Sequence, residues 1–181
     1  MKKTKIINIV SGPGAGKTTI AAMIFIRLKL LKYTVEYVQE YAKELVWRKR
    51  YRKLNDQFAV SEKQYKCFKA IDGYVDYIVT DGSLLHGLYY NRTNKNNLSN
   101  IEKTEKYIIN FFSKFENIVI FLERGDFEYE KEGRLQNENE AKQIDEQLKK
   151  LLMEKEIKYK IFKSNIDNEE INNIINYIIN Q

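Results

Sequence analysis

Residues 5–25 read KIINIVSGPGAGKTTIAAMIF. A β-branched run stops at Ser11, a five-residue stretch with three glycines and the chain's single proline follows, and Lys17-Thr18 opens an apolar segment. Turn chemistry this tight, set between a buried strand and a helix, commits the chain to an α/β arrangement. Ser11 to Thr18 match G-x-x-x-x-G-K-[ST], with Ser11 standing at the first glycine position and Gly12 and Gly14 supplying the flexibility the loop needs. In such a loop, backbone N–H groups surround a β-phosphate and the helix N-terminus adds its positive end. The expected ATP cradle is Gly12, Gly14, Ala15, Gly16, Lys17, Thr18 and Thr19. Lys17 would reach the β- and γ-oxygens, and the Thr18 hydroxyl would meet Mg²⁺. The bland alternative is a glycine turn that happens to carry a lysine. A strand before the loop and a helix after it favour nucleoside triphosphate binding.

The rest of the chain repeats the strand–helix theme. Apolar or alternating runs at 4–10, 33–39, 74–83, 117–123 and 157–164 read as strands. Helical spacing predicts 16–31, 40–54, 55–72, 101–115, 138–155 and 167–180 as helices, the third starting from an Asn/Asp cap. Strands alternating with helices mean a parallel sheet. At 181 residues, without repeats or a composition break, the expectation is one domain over 1–181. The segment 124–140 is charged, holds two glycines and has no core-forming run.

Charge and cysteine content narrow the setting. A net charge of +6 suits polyanionic partners, which can be as small as a nucleotide. Cys67 is the single cysteine, so no intrachain disulfide forms and a reducing compartment is expected. The basic N-terminus is followed by an apolar run too short for a secretion signal. No stretch approaches the roughly 18 apolar residues of a membrane span. The expected location is cytoplasmic, without a membrane partner.

Three classes of nucleotide-binding chain then compete. A GTPase needs an N-K-x-D base-reading motif after a strand, and "NKNN" at 94–97 lies in a polar loop without the aspartate. An oligomeric motor-type ATPase carries an Asp-Glu pair ending its Walker B strand and a further helical domain, whereas here the strand ends Asp81-Gly82 and 181 residues leave little room for that domain. A small phosphotransferase needs a compact core, an acceptor pocket and a lid with arginines, and the chain offers all three.

The blocks SGPGAGKTT, EYAKELVW, YIVTDGSLL and FLERGDFEYEKEGRLQNENEAKQID together resemble the phage-type P-loop proteins related to the nicotinamide riboside kinase domain of NadR. The resemblance runs from about residue 5 to 163. It implies a P-loop kinase-like three-layer α/β/α sandwich with a five-stranded parallel sheet and a short lid at about 124–138. It implies nucleoside or nucleotide kinase-like chemistry with ATP and Mg²⁺. Glu40, directly after the second strand, lies at the sheet edge where ligands bind in open α/β folds. In kinases of similar arrangement a carboxylate there is the base for the acceptor hydroxyl; the alternative is a helix N-terminal Glu favoured by the macrodipole. Asp81 ends the third strand at the same edge, as a carboxylate for Mg²⁺ or acceptor, or as a turn aspartate. Ser83 reads as a cap for the next helix, the alternative being a phosphate contact. Nucleoside kinases often carry an arginine where this chain has Gly82, so one phosphate contact must come from elsewhere.

Arg124 and Arg134 sit in the lid, where guanidinium groups suit the spread charge of a transferring phosphoryl group. Alternatively they pair with Glu123, Glu128, Glu130 and Glu132 in a solvated loop. Asp145 resembles a family feature and would orient a lid arginine. Ser164-Asn165 follows the fifth strand, where P-loop kinases bring backbone against adenine, so Asn165 joins the expected nucleotide contacts by fold-level analogy. His86 and Cys67 have no partners at ligand spacing and read as core or surface fillers.

Between the second and third strands, Tyr41, Trp47, Gln57, Phe58 and Gln64 either form an acceptor pocket or pack helices onto the sheet. "WRKRYRKL" at 47–54 could hold an acceptor phosphate, track a nucleic-acid backbone with Trp47 and Tyr51 stacking on bases, or be a solvated face. Three functions follow: transfer of the ATP γ-phosphate to a nucleoside, nucleotide or related small molecule; a kinase acting on nucleic acid, at a terminal hydroxyl or hydroxylated base; or a regulatory module using ATP as a switch. The first fits a minimal kinase core.

Overall fold

Residue parity along the first strand decides how the layers stack. A computed structural model describes residues 3–125, 128–130, 132 and 134–181. Strand β1 (Lys5–Val10) sends Ile7 and Ile9 to one face and Ile6 and Val10 to the other, all essentially fully buried. A strand buried on both faces must be covered by helices on both sides. It lies centrally, flanked by β3 (Tyr77–Thr80) and β4 (Glu116–Glu123), with β2 (Val35–Val38) and β5 (Lys160–Lys163) at the edges. The order is β2-β3-β1-β4-β5 and the pairings are all parallel. Lys5 stands opposite both Tyr77 and Glu116, so the three central strands start level.

One face is closed by α1 (Lys17–Leu30) and α8 (Asn168–Ile179), through Ile20, Ile24, Leu28, Ile171, Ile174 and Ile178. The other is closed by α4 (Gln57–Ile71), α5 (Leu84–Thr93), α6 (Ile101–Phe112) and α7 (Glu138–Glu154), with Phe68, Leu85, Leu88, Ile108, Leu148 and Leu152 at the centre. The result is the expected three-layer α/β/α sandwich on a five-stranded parallel sheet. Among the described residues no helix is long and apolar enough to cross a membrane.

The expected helix at 40–54 is two helices, α2 (Tyr41–Trp47) and α3 (Tyr51–Leu54). Between them Lys49 adopts a left-handed φ of 54°. The Arg50 N–H donates to the Leu45 carbonyl and the Lys49 N–H to the Val46 carbonyl. This is the six-to-one and five-to-two pattern that closes a helix C-terminus, usually on glycine. Lys32 after α1 and Glu156 after α7 do the same, with φ of 71° and 53°. Helix α5 is foreshadowed only by the expected Ser83 cap, without a range of its own; Ser83 does cap it, accepting from the Leu85 N–H at 3.2 Å.

Asn8 is the one polar residue pointing inward along β1, 1% exposed. Its amide donates to Asn117 Oδ1 at 2.9 Å and to the Ile6 carbonyl at 3.0 Å, while its Oδ1 accepts from Ser83 Oγ at 2.8 Å. The central strand is thereby tied to β4 and to the cap of α5. Asn8→Ala would leave the Ser83 and Asn117 groups unpaired. The expected cost is about 2–3 kcal/mol in urea denaturation; a loss below about 0.5 kcal/mol would show that the network does not hold α5 in place.

Candidate functional site

A cleft of about 990 Å³ opens along the C-terminal edge of the sheet, between the glycine loop, α2, α5 and α7. This is where a parallel α/β sheet offers its strand ends to a ligand.

The loop between β1 and α1 takes its shape from Gly14 and Gly16, with φ of 72° and 79°, values that glycine adopts without strain. Gly16 is the N-cap of α1, and no acidic side chain occupies the first turn of that helix. Lys17 Nζ turns back to donate to the Ser11 carbonyl at 3.0 Å and the Gly12 carbonyl at 2.8 Å. Burial pushes the Lys17 ammonium down from its ordinary value, against the opposing pull of Glu40, Asp81 and Asp145. Thr18 and Thr19 are exposed at the cleft. Ala15 is fully buried, so only its backbone is available to a ligand.

On one flank the loop is fastened to α7. Asp145 accepts the Gly12 N–H at 2.5 Å on one oxygen and Arg124 Nε at 2.6 Å on the other. Arg124 Nη2 donates to the Pro13 carbonyl at 2.9 Å. The Arg124 guanidinium is thus committed to shaping the loop. Gly12 has no space for a side chain, since a Cβ there would stand 2.7 Å from the Ala141 carbonyl oxygen.

On the other flank, Asp81 leaves β3 only 2% exposed. Its Oδ2 accepts from Thr18 Oγ1 at 2.6 Å and its Oδ1 from the Glu40 backbone N–H at 3.0 Å. Glu40 occupies the N-cap position of α2, yet its side chain makes no capping hydrogen bond. Burial raises the Glu40 carboxyl above its ordinary range; Lys17 opposes this and Asp81 adds to it. Gly82 is explained by this approach, because a Cβ there would lie 2.5 Å from Glu40 Cα. A hydroxyl and a carboxylate at 2.6 Å are hard oxygen donors that fit Mg²⁺, which keeps most of its shell for phosphate oxygens and water.

Of the lid expected at 124–138, residues 126, 127, 131 and 133 lie outside the described residues. Arg134 bonds the Glu130 carbonyl and approaches the Glu130 carboxylate at 3.2 Å, with its guanidinium 5.3 Å from the centre of the Tyr129 ring. Tyr129 lies against Gly14 so closely that a side chain at 14 would collide with its ring. Its hydroxyl donates to the Gln136 carbonyl at 2.8 Å. After β5 the cleft wall is formed by Ser164 and Ile166, and Asn165 between them is half-buried off that wall. Ser164 Oγ accepts the Gly125 N–H at 2.8 Å, joining the fifth strand to the lid base.

The acceptor side departs most from the sequence reading. Gln64 accepts the Tyr41 N–H at 3.0 Å and donates to the Gln39 carbonyl at 3.2 Å, so it fixes the start of α2. Phe58 packs on Tyr107 and Phe111. Trp47 is 60% exposed, off the cleft. Gln57 does reach the cleft, as do Tyr51, Tyr89 and Tyr90. The last two come from α5, an element without a clear amphipathic signature. In the basic stretch 47–54, Arg48 pairs with Glu44 at 3.0 Å one turn back. Lys43, unremarked in the sequence, brings Nζ to 3.5 Å from Thr18 Oγ1. Cys67 packs against the apolar core, whereas His86 stands in the cleft wall.

Comparison with known proteins agrees with this geometry at the level of family and fold. A family model described as an AAA domain matches residues 6–169, and the chain belongs to that family. No curated protein matches the sequence. Among solved structures, a deoxyadenosine kinase from M. mycoides, with the products dCMP and a flexible dCDP bound, superposes with a TM-score of 0.65. It is 20% identical, with 97% of this chain and 100% of that chain covered. At that identity the likeness shows the fold, a P-loop kinase-like one.

The clamp between α7 and the loop is directly testable. Asp145→Ala strips the Arg124 guanidinium and the Gly12 N–H of their shared acceptor. A stability loss of about 3 kcal/mol and weaker nucleotide binding are expected, read by denaturation and calorimetry. Unchanged nucleotide affinity in the folded variant would show that the clamp does not shape the phosphate loop.

Proposed function

We propose that this AAA-domain chain is a Mg-ATP-dependent phosphotransferase that moves the γ-phosphoryl group of ATP to a hydroxyl of a nucleoside, a nucleotide or a related small molecule such as nicotinamide riboside. The observation that carries this reading is the junction at Asp81. One carboxylate joins the Thr18 hydroxyl to the backbone of Glu40, beside Lys17 and over a cleft large enough for two ligands.

Loop amides and Lys17 hold the β- and γ-phosphates in this account, Lys17 exchanging two loop carbonyls for phosphate oxygens. Mg²⁺ bound with the nucleotide, held by Thr18 and Asp81, would neutralise charge on the phosphate oxygens. Glu40 takes the proton of the acceptor hydroxyl as its oxygen bonds to the γ-phosphorus. The bond from that phosphorus to the bridging oxygen breaks, and the electron pair leaves on the β-phosphate of ADP near Lys17. A raised Glu40 pKa makes the carboxylate a stronger base once ionised. Lys43 and Arg134 bring further positive charge to the cleft, offsetting the glycine at 82. Tyr129, which lies against Gly14, would shield the phosphates from water, so that transfer to the acceptor outpaces hydrolysis.

The test is incubation with Mg²⁺ and γ-labelled ATP against nucleosides, nucleoside monophosphates, nicotinamide riboside, and single- and double-stranded DNA and RNA. Label on one small molecule is expected; label on a polymer alone, or on none of these, contradicts the proposal. Lys17→Ala should abolish transfer. Glu40→Gln should slow it about 10²–10⁴-fold while ATP binding persists, since only the base is lost. The Glu40 carboxyl must be ionised to act and burial raises its pKa, so the wild-type rate should fall as pH is lowered, and should begin to fall at a higher pH than an ordinary glutamate would give. A pH-independent rate there would remove Glu40 as the base.

A further inference from the structure

His86 is the chain's single histidine and sits in the first turn of α5, just beyond the Ser83 cap. It is 7% exposed, and neither ring nitrogen makes a well-formed hydrogen bond among the described residues, although the backbone of Ser11 acts on the ring. Leaving buried polar groups unpaired is costly, about 1–3 kcal/mol each, so an orphaned imidazole in a cleft wall calls for a ligand. The Ser11 hydroxyl, 1% exposed, is likewise without a partner. The ring therefore lies in a region more polar than packing requires, in the same cleft as the phosphate loop.

Its neighbours narrow the chemistry. Burial and the positive charge of Lys17 push the imidazole down to about 3, against a smaller upward pull from the Ser11 backbone, so in the free protein it is neutral, with one N–H and one lone pair. A site facing a fixed ammonium selects against a cationic ligand and for an anionic one. The loop amides already enclose the β-phosphate position. His86 approaches from α5, the helix that also brings Tyr89 and Tyr90 to the acceptor side of the cleft. The anionic group left for it is the phosphoryl group between loop and acceptor.

We propose that His86 is a phosphoryl-binding residue, its imidazole N–H donating to an oxygen of the γ-phosphoryl group on the face turned toward the acceptor. This rests on the phosphotransferase reading and extends it by one contact that recognises ATP over ADP. The geometry also gives the group a reason to be neutral before ligand arrives: a cation beside Lys17 would repel it, whereas a neutral donor waits at lower electrostatic cost.

Because the chain has one histidine, its imidazole ¹⁵N resonances report on this residue alone. They would be recorded in the intact protein with Mg²⁺ alone, with Mg-ADP, and with the β,γ-imido analogue of Mg-ATP, with binding of each nucleotide followed by calorimetry. The expected result is a shift with the analogue and little change with ADP. His86→Ala should weaken the analogue about tenfold, the scale of one hydrogen bond to a charged group, and leave ADP affinity unchanged. His86→Gln, which keeps an N–H, should recover part of that loss. Unmoved resonances with the analogue demonstrably bound, or equal shifts with ADP, would overturn the assignment while leaving the phosphotransferase reading intact. Absence of any nucleotide binding would overturn both.

Discussion

The site depends on one buried carboxylate. Asp81 ends the strand next to β1 and spends one oxygen on the Thr18 hydroxyl and the other on the Glu40 backbone. Three separate segments, the start of α1, the end of β3 and the start of α2, are thereby held at fixed separation. That arrangement needs Gly82, because any side chain there would strike Glu40. It also needs the register in which β1, β2 and β3 run parallel, so that their C-terminal ends converge on the same edge.

The opposite flank is anchored by a second carboxylate, Asp145. It grips the glycine loop through Gly12 and through Arg124, which in turn holds the Pro13 carbonyl. The loop is thus braced from both sides, and Lys17 lies between the two braces against carbonyls that a phosphate can replace. Pre-organisation of this kind lowers the reorganisation needed when charge develops in transfer. Polar ties deeper in the fold support it. Asn8 links β1 to β4 and, through Ser83, to the start of α5, the helix that carries Tyr89, Tyr90 and His86 into the cleft.

The fold was legible because strand runs and a glycine-rich loop have short-range signatures. Glu40 and Asp81 could be placed at one edge because each comes within two residues of a strand's end. What sequence could not show arises from long-range or atypical local effects. Three helices end on Lys32, Lys49 and Glu156 in the left-handed conformation, where glycine is the usual signal, so the break inside 40–54 carried no mark. Helix α5 has Gly87 mid-helix and few polar residues at its start, so its cleft-facing Tyr89 and Tyr90 went unread and His86 was read only as a filler. Sequence left Gln64 open between an acceptor pocket and packing, because its partners, Gln39 and Tyr41, are brought to it only by the fold. Arg124 was legible as a charged residue after a strand, but its bond to the Pro13 carbonyl spans 111 residues.

The most direct measurement of the central claim is the Mg²⁺ dependence of phosphoryl transfer from ATP in Asp81→Asn beside the wild type, at matched protein folding. If Asp81 joins the metal position to the catalytic edge, the folded variant should require far more Mg²⁺ and transfer at least about a hundredfold more slowly at saturation. Superimposable Mg²⁺ activation curves and equal rates would show that the carboxylate is only a structural link between strand ends, and the account built on it would fail.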